Sequence, residues 1–308
     1  MTAQQKYDFA AFKQSVNLSQ YAAGQGYELD RKKSTRSSLV MRQASTGDKI
    51  IVSKKGANWV YFSVSNDADN GTIVDFIANR TAKTLPEIGK ELAAWSGGAG
   101  ALPVYAMPDV QEQVYDRERI RRAFRWMNLI TAHPYLTDER KIPADVLNHP
   151  RFAGRIFTDR YGNAVFPHQD GQGVCGLELK NTDKGVFMRG SEKALWLGNI
   201  DPADTVLTLA ESGIDALSHF AMFRPLGASY GAVSGGMRDK QFDFLMVIIG
   251  KMPKLEKIVL AVDNDEGGEK IAGRIETYLE GKFTGEIARE VPQWKDMDWN
   301  EVLKMMPY

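Results

Sequence analysis

The residues best placed to do chemistry are carboxylates that close two apolar runs. Thr205-Val-Leu-Thr-Leu-Ala210 ends in Glu211-Ser-Gly-Ile-Asp215, and Lys257-Ile-Val-Leu-Ala-Val262 ends in Asp263-Asn-Asp265-Glu-Gly-Gly. A third acidic motif, Pro292-Gln-Trp-Lys295-Asp296-Met-Asp298-Trp-Asn300-Glu, follows the strand-like Glu286-Ile-Ala-Arg-Glu-Val291. Carboxylates brought together repel, so such a cluster is costly unless a cation neutralises it. Hard oxygen donors suit magnesium or manganese. Two such ions lower the pKa of an attacking hydroxyl, stabilise the leaving oxygen and align an in-line displacement. If the hydroxyl is a nucleotide 3′ end, a chain is extended; if it is water, DNA is cut. The carboxylates alone do not separate these outcomes. An isolated Asp-x-Asp usually marks a turn or a helix cap. Three acidic motifs in order, each after a strand, form a stronger signal.

Short β-branched runs bounded by turn residues predict buried parallel strands, each followed by a helix. Ligands of open α/β sheets sit where strand carboxyl ends meet loops. Two strands therefore deliver Glu211, Asp263 and Asp265 to one sheet edge. Gly267-Gly268 suggests a tight helix start close to the metal, whereas Gly267-Gly-Glu-Lys270 lacks the P-loop spacing. Ser234-Gly-Gly236, after Tyr230-Gly-Ala-Val, is another loop at a strand end: a phosphate-facing loop or, more simply, a turn.

At 308 residues the chain is long enough for about two domains. Its 43% hydrophobic and 25% charged content is that of an ordinary soluble globular protein. The start, Met1-Thr-Ala-Gln-Gln-Lys-Tyr-Asp, has no apolar signal-peptide core, and no apolar run approaches the roughly 20 residues of a membrane span. A cytoplasmic protein is the default expectation. The single cysteine, Cys175, excludes an internal disulfide and any multi-cysteine zinc site, and the four histidines are dispersed. Net charge is zero but segregated. Residues 1–60 carry ten Lys/Arg against four Asp/Glu, residues 115–160 ten against six, and residues 201–308 twelve against eighteen. Basic front segments suit phosphates and an acidic end suits cations; an ordinary solvated surface is the plainer alternative.

In chain order, Asp8 to Gln25 predicts a helix, with Phe9, Phe12, Val16 and Tyr21 near one face. Strand-like pieces follow at Ser38–Arg42, Lys49–Ser53 and Trp59–Val64, then helices from Thr72–Ile77 and from Leu85 to Trp95. This order, with Asn70-Gly-Thr-Ile-Val-Asp75-Phe-Ile77, is similar to the zinc-ribbon domain of DnaG-type bacterial primases. The cysteine and histidine ligands are missing here, so the resemblance implies a metal-free remnant stabilised by its core. Arg31, Lys32, Lys33, Arg36, Lys54 and Lys55, with Trp59, Tyr61 and Phe62, offer phosphate contacts and stacking for single-stranded DNA. Individually, those aromatics are better read as core. Ser96-Gly-Gly-Ala-Gly-Ala-Leu-Pro-Val-Tyr-Ala-Met-Pro108 reads as a linker. Asp116 to Trp126 predicts a basic helix with Ile120, Phe124 and Met127 inward and Arg117, Arg121, Arg122 and Arg125 largely outward.

Val165–Asp170, a Gly-Gln-Gly turn, Val174–Lys180 and Lys184–Arg189 read as a β-meander. Its order and spacing resemble the basic subdomain that precedes the catalytic carboxylates of DnaG-type primases, although Glu178-Leu-Lys180 stands where that family has an arginine. The resemblance implies that Lys180, Lys184, Arg189 and Lys193 contact template or nucleotide phosphates. The three acidic motifs together resemble the Toprim fold of primases, topoisomerases and some nucleases. Carried over, Glu211 is the acid/base or metal-linked glutamate, Asp263 and Asp265 are catalytic and metal-binding, Asp296 or Asp298 joins them, and Asp215 supports the site. Lys295 adds a cation beside them.

The resulting expectation is an α/β chain: a Toprim-type, Rossmann-like parallel sheet (201–308) preceded by a mixed α+β basic subdomain (115–200). A linker (97–114) and a small zinc-ribbon-like α+β domain (1–96) come before them. The compact primase-like Toprim proteins of plasmids, phages and other mobile elements are the nearest resemblance. It implies short primers made on single-stranded DNA from nucleoside triphosphates, with Mg2+ or Mn2+ and no zinc. A replicative helicase or another replication protein is the implied partner. A Toprim nuclease acting in defence and a non-catalytic single-stranded-DNA-binding accessory protein stand as alternatives.

Overall fold

The computed structural model describes residues 7–31, 33–66, 68–97, 108, 110, 114–182 and 184–306. The chain divides into two compact units, Met1–Val114 and Tyr115–Tyr308.

In the first unit, α1 (Phe9–Ser15) and α2 (Leu18–Gly24) replace the single helix expected from Asp8 to Gln25. The break is at Val16–Asn17, both extended, because the Asn17 side chain accepts from the Ser19 and Gln20 amides and starts a new helix. Five strands form an antiparallel meander in chain order: β1 (Tyr27–Leu29), β2 (Leu39–Gln43), β3 (Lys49–Lys55), β4 (Asn58–Ser63) and β5 (Asn70–Gly71). Helices α3 (Ile73–Arg80) and α4 (Leu85–Ser96) each start with a capping box, Thr72/Asp75 and Thr84/Glu87. Leu18, Leu39, Met41, Ile50, Ile73, Phe76 and Ile88 fill the core. Arg80 lies over the Phe76 ring and pairs with Asp48 at 2.8 Å and Asp69 at 2.7 Å. Trp59 and Tyr61 are core residues, as expected of them individually, the Tyr61 hydroxyl donating to Asp69; Phe62 is exposed, and of the three it alone is left for stacking. Alternation along β4 sends Trp59, Tyr61 and Ser63 inward together. Lys32 and most of the linker, residues 98–107 among them, lie outside the described residues.

The second unit opens with α5 (Arg117–Phe124), β6 (Asn128–Leu129), a π-helical turn (Tyr135–Glu139) and α6 (Ala144–Leu147). Then come β7 (Phe157–Thr158), β8 (Ala164–Asp170), β9 (Gly173–Asn181), β10 (Lys184–Phe187) and β11 (Leu195–Leu197). The remainder alternates: β12 (Val206–Ala210), α7 (Gly213–Phe223), β13 (Ala228–Ala232), α8 (Asp239–Gly250), β14 (Lys257–Ala261), α9 (Glu266–Leu279), β15 (Glu286–Glu290), α10 (Trp299–Met305). All these strands join one ten-stranded sheet, β10-β9-β8-β11-β13-β12-β14-β15, with β7 also on β8 and β6 on β7. The sheet runs unbroken across residue 200. Strands β13, β12, β14 and β15 are mutually parallel and the remaining pairs antiparallel.

The parallel strands read as continuous apolar runs because both faces are covered. Leu207, Leu209, Ile258 and Leu260 pack with α8 and α9, while Ala210, Tyr230, Ala232 and Ala261 pack with α7 and α10. Ile120 anchors α5 on Val165, Leu177 and Leu179. Adjacent strands β12 and β14 thus send their crossovers to opposite faces. Such a topological switch point opens a crevice at the strand carboxyl ends. Among the described residues, no helix is long and apolar enough to cross a membrane.

Candidate carboxylate active site

Glu211 leaves the end of β12 and Asp263 the end of β14, so the switch point brings them side by side: Glu211 Oε1 accepts from the Asp263 amide at 3.1 Å. Ser212 caps α7, its hydroxyl accepting from the Asp215 amide at 3.3 Å and donating to Asp215 Oδ2 at 2.7 Å. This holds Asp215, one turn inside the helix, with its carboxylate buried toward the same edge. Asp265 caps α9 by accepting from the Gly268 amide at 2.7 Å. A Cβ on Gly268 would fall 2.1 Å from the Asp263 carbonyl oxygen. The second glycine of the expected tight helix start is therefore required by close approach. Asp298 caps α10 in a capping box with Glu301. The loop before it is clipped to the one after β14: the Asp296 amide donates to the Asn264 oxygen at 2.7 Å and the Asn264 amide to Met297 at 3.1 Å.

Burial raises Glu211 to about 7, and Asp215, Asp265 and Asp298 push the same way against the Asp263 amide. Asp263 is raised by burial and then by Asp215, Glu211, Asp298 and Asp265. Asp215 is raised by burial and Asp298, while Lys180 and the Ser212 hydroxyl oppose. Glu211, Asp215 and Asp263 are thus raised first by burial and then by neighbouring carboxylates. Asp263 Oδ1 is buried with no hydrogen-bond partner among the described residues. An unsatisfied buried oxygen amid carboxylates is the donor chemistry that a hard divalent cation takes. The side chains are gathered rather than closed into a cage: among the described residues no three His, Cys, Asp or Glu converge at metal-ligand spacing. Asp296 is exposed, in the left-handed backbone region (φ 59°), and its role here is the amide bond to Asn264.

A cleft of about 530 Å³ adjoins Asp215 and Asp298, walled by Tyr135, Arg140, Lys180 and Ser212. Lys180 Nζ lies 2.9 Å from Glu178 Oε1. Glu178 is buried, yet it is held down at about 2 because His168 and Lys180 outweigh the cost of burial. Ser234 donates to Glu178 at 3.1 Å and lies 3.2 Å from His168 Nε2. The apparent departure at Glu178 is therefore the anchor that aims Lys180. The spacing was a usable signal, since residues two apart on a strand share a face. Arg140, to which the sequence reading gave no role, donates to the Tyr135 hydroxyl at 2.9 Å and to Asn300 Oδ1 at 3.4 Å. No sequence pattern announces the π-helical turn that ends just before it. Of the other basic residues, Lys193 lies near Glu211. Arg189 and Lys295 are exposed, and the side chain of Lys184 lies outside the described residues.

Residues 208–303 match the family model described as Toprim-like, and residues 134–198 match that of a protein of unknown function, DUF3991. Residues 208–303, which run from β12 into α10, are thus Toprim-like. An uncharacterized protein of Bacillus anthracis is 26% identical over 200 residues, 56% of each chain. The chain thus spans about half the length of the curated relative it matches. Among solved structures, the chain is similar to the primase fragment of the bacteriophage T7 primase-helicase (TM-score 0.39, 17% identity, 65% of this chain and 77% of that one). It is also similar to a DNA primase domain from Pseudomonas aeruginosa (TM-score 0.35, 14% identity, 49% and 52%).

Proposed function

We propose that this chain is a primase-like nucleotidyltransferase that makes short primers on single-stranded DNA from nucleoside triphosphates. The observation that carries the reading is the gathering of Glu211, Asp215, Asp263, Asp265 and Asp298 at the switch point of a Toprim-like sheet. Magnesium or manganese bound there would supply a lowered pKa for the attacking 3′ hydroxyl and charge neutralisation on the leaving group. The chain's own residues supply the rest. Glu211, at the end of β12 and bonded to the Asp263 amide, would be the acid/base or metal-linked glutamate. Lys180, fixed by Glu178, and Arg140, fixed by Tyr135, offer the adjoining cleft two cations for phosphates. A role in DNA replication on a mobile element, beside a helicase or another replication protein, belongs to the same reading.

The test offers the purified chain single-stranded DNA, labelled ribo- and deoxyribonucleoside triphosphates, and magnesium or manganese. The Asp263→Ala/Asp265→Ala variant runs alongside. New short oligonucleotides from the wild type and none from the variant are expected. Shortening of the template, lost in the variant, would select a nuclease instead. Binding without either reaction, unchanged in the variant, would reduce the chain to an accessory protein.

A further inference from the structure

A second cleft, of about 570 Å³, lies on the α8 side of the sheet, where the later turns of α8 meet the end of β11. Its apolar wall is one stripe of α8, Phe244, Val247 and Ile248, together with Leu197 and Ile200. Positions 244, 247, 248 and 251 follow helical i, i+3, i+4 and i+7 spacing, so Lys251 extends the same stripe. Val247 is 45% exposed there, an apolar side chain left without cover. None of the clustered carboxylates lines this cleft: Asp215 and Asp298 belong to α7 and α10, which pack on the other face of the sheet.

Arg155 supplies the polar wall. Its Nε donates to Asn199 Oδ1 at 2.7 Å, and the Asn199 amide is pinned in turn by the Pro150 and Ala153 carbonyls at 2.7 and 3.0 Å. The guanidinium is thereby oriented, while its two Nη groups have no hydrogen-bond or ion-pair partner among the described residues. Arg155 is half-buried, and burial unopposed by any carboxylate draws it below the usual guanidinium range. A desolvated guanidinium without an anion is costly, and a carboxylate meeting both Nη groups relieves it. Lys251, exposed, is a second cation with no ion pair among the described residues. Asp170 also lines the cleft, but its carboxylate is taken by Arg117. The Gln169 side-chain amide lines it too and has no partner among the described residues. Two cations among apolar side chains are too few for a nucleic-acid backbone, which is held by a row of them. A strongly hydrated phosphate gains nothing from Leu197 or Val247; an apolar carboxylate does. The free carboxamide singles out a peptide among such ligands, because a peptide group presents the matching donor and acceptor.

We infer that this cleft docks a short peptide segment of a partner protein, one in which an Asp or Glu carboxylate stands beside apolar side chains. The carboxylate pairs with Arg155, the apolar side chains cover Val247 and its stripe, and Gln169 bonds the peptide backbone. The volume lies within the roughly 300–1,000 Å³ of ligand sites, room for a few residues and not for a domain. Docking there leaves the carboxylate edge open, so the site recruits without obstructing the reaction. It stands whether or not the chain extends primers.

Random peptides displayed on phage, selected on the immobilised full chain, test this; the consensus is then synthesised with a fluorescent label and titrated by anisotropy. Selection should enrich Asp or Glu next to Leu, Ile or Phe. Arg155→Met, which keeps an apolar stem, should weaken the consensus peptide roughly tenfold or more, as expected for a lost charge-assisted hydrogen bond. Val247→Glu, which sets a like charge on the exposed stripe, should do the same, and so should replacing the peptide's own carboxylate by its amide. Arg155→Lys should recover part of the loss, and binding of single-stranded DNA should hold in every variant. Thermal melts check each fold; if Arg155→Met melts early, Val247→Glu decides alone. Selection that enriches no acidic–apolar sequence overturns the site, as does consensus binding that neither Val247→Glu nor the amide peptide weakens. Binding of dodecanoate through Arg155 with no peptide bound would give the cleft to a free amphiphile, and overturns the peptide assignment.

Discussion

Glu211→Gln should stabilise the metal-free protein, although it removes a residue assigned to catalysis. Burial and three neighbouring carboxylates move this group from 4.5 to about 7. Because the folded value lies above the unfolded one, the folded state binds the extra proton. Its contribution to stability is therefore complete below about 4.5, declines through the interval, and is gone above about 7. The interval corresponds to roughly 3 kcal/mol, taken as an upper figure because Glu211 is only partly screened from water. Glutamine keeps an oxygen to accept from the Asp263 amide but carries no charge. In EDTA at pH 8 the variant should gain up to about 3 kcal/mol, a Tm rise of roughly 5–10 °C for a domain of this size. At pH 5 the gain should shrink toward zero. Saturating magnesium should reverse the order, adding about 2.7 kcal/mol to the wild type at one hundred times its Kd and much less to the variant. Calorimetric melts across pH 5–8.5, with and without metal, read all of this. A variant no more stable than wild type at pH 8 in EDTA would refute the claim that these carboxylates are held in mutual repulsion.

The other predictions probe the supports. Gly268→Ala places a methyl 2.1 Å from the Asp263 oxygen, so it should cost at least about 2 kcal/mol in denaturant melts and reduce activity by displacing Asp263 and Asp265 together. Lys180→Ala should weaken single-stranded-DNA binding and lower the slope of log affinity against log salt by about 0.7, the increment for one phosphate contact; an unchanged slope would remove Lys180 from the DNA path. Arg80→Ala leaves Asp48 and Asp69 without their cation. It should destabilise the first unit by about 2–4 kcal/mol, seen as earlier proteolysis of residues 1–114, while leaving catalysis on nucleotides intact if the second unit alone carries the site.

The carboxylate strands were legible because a parallel strand buried on both faces writes itself as an unbroken apolar run. Its end is then marked by the first residue that cannot be buried, here Glu211 after Ala210 and Asp263 after Val262. The caps, which the sequence reading did not assign, have an equally local cause: Ser212, Asp265 and Asp298 each stand one residue before a helix and bond its first turn. What the sequence could not show was anything set by partners distant along the chain. Asp296 and Asp298 read as equivalent, yet Asp298 caps α10 toward the cluster while Asp296 is turned outward by a left-handed backbone bonded to Asn264. Likewise Lys180 read as one of several basic residues. Its aim depends on Glu178, whose charge is held in turn by His168 from β8 and by Lys180 itself, with a hydrogen bond from Ser234 in the loop after β13. That dependence has a consequence for the site as a whole. The strands that carry Lys180 and the strands that carry the carboxylates share one sheet through β8, β11 and β13. Cations and carboxylates are thus held on a single sheet, so the proposed binding of DNA and of metal would need no closure of one domain on another to bring the two charges together.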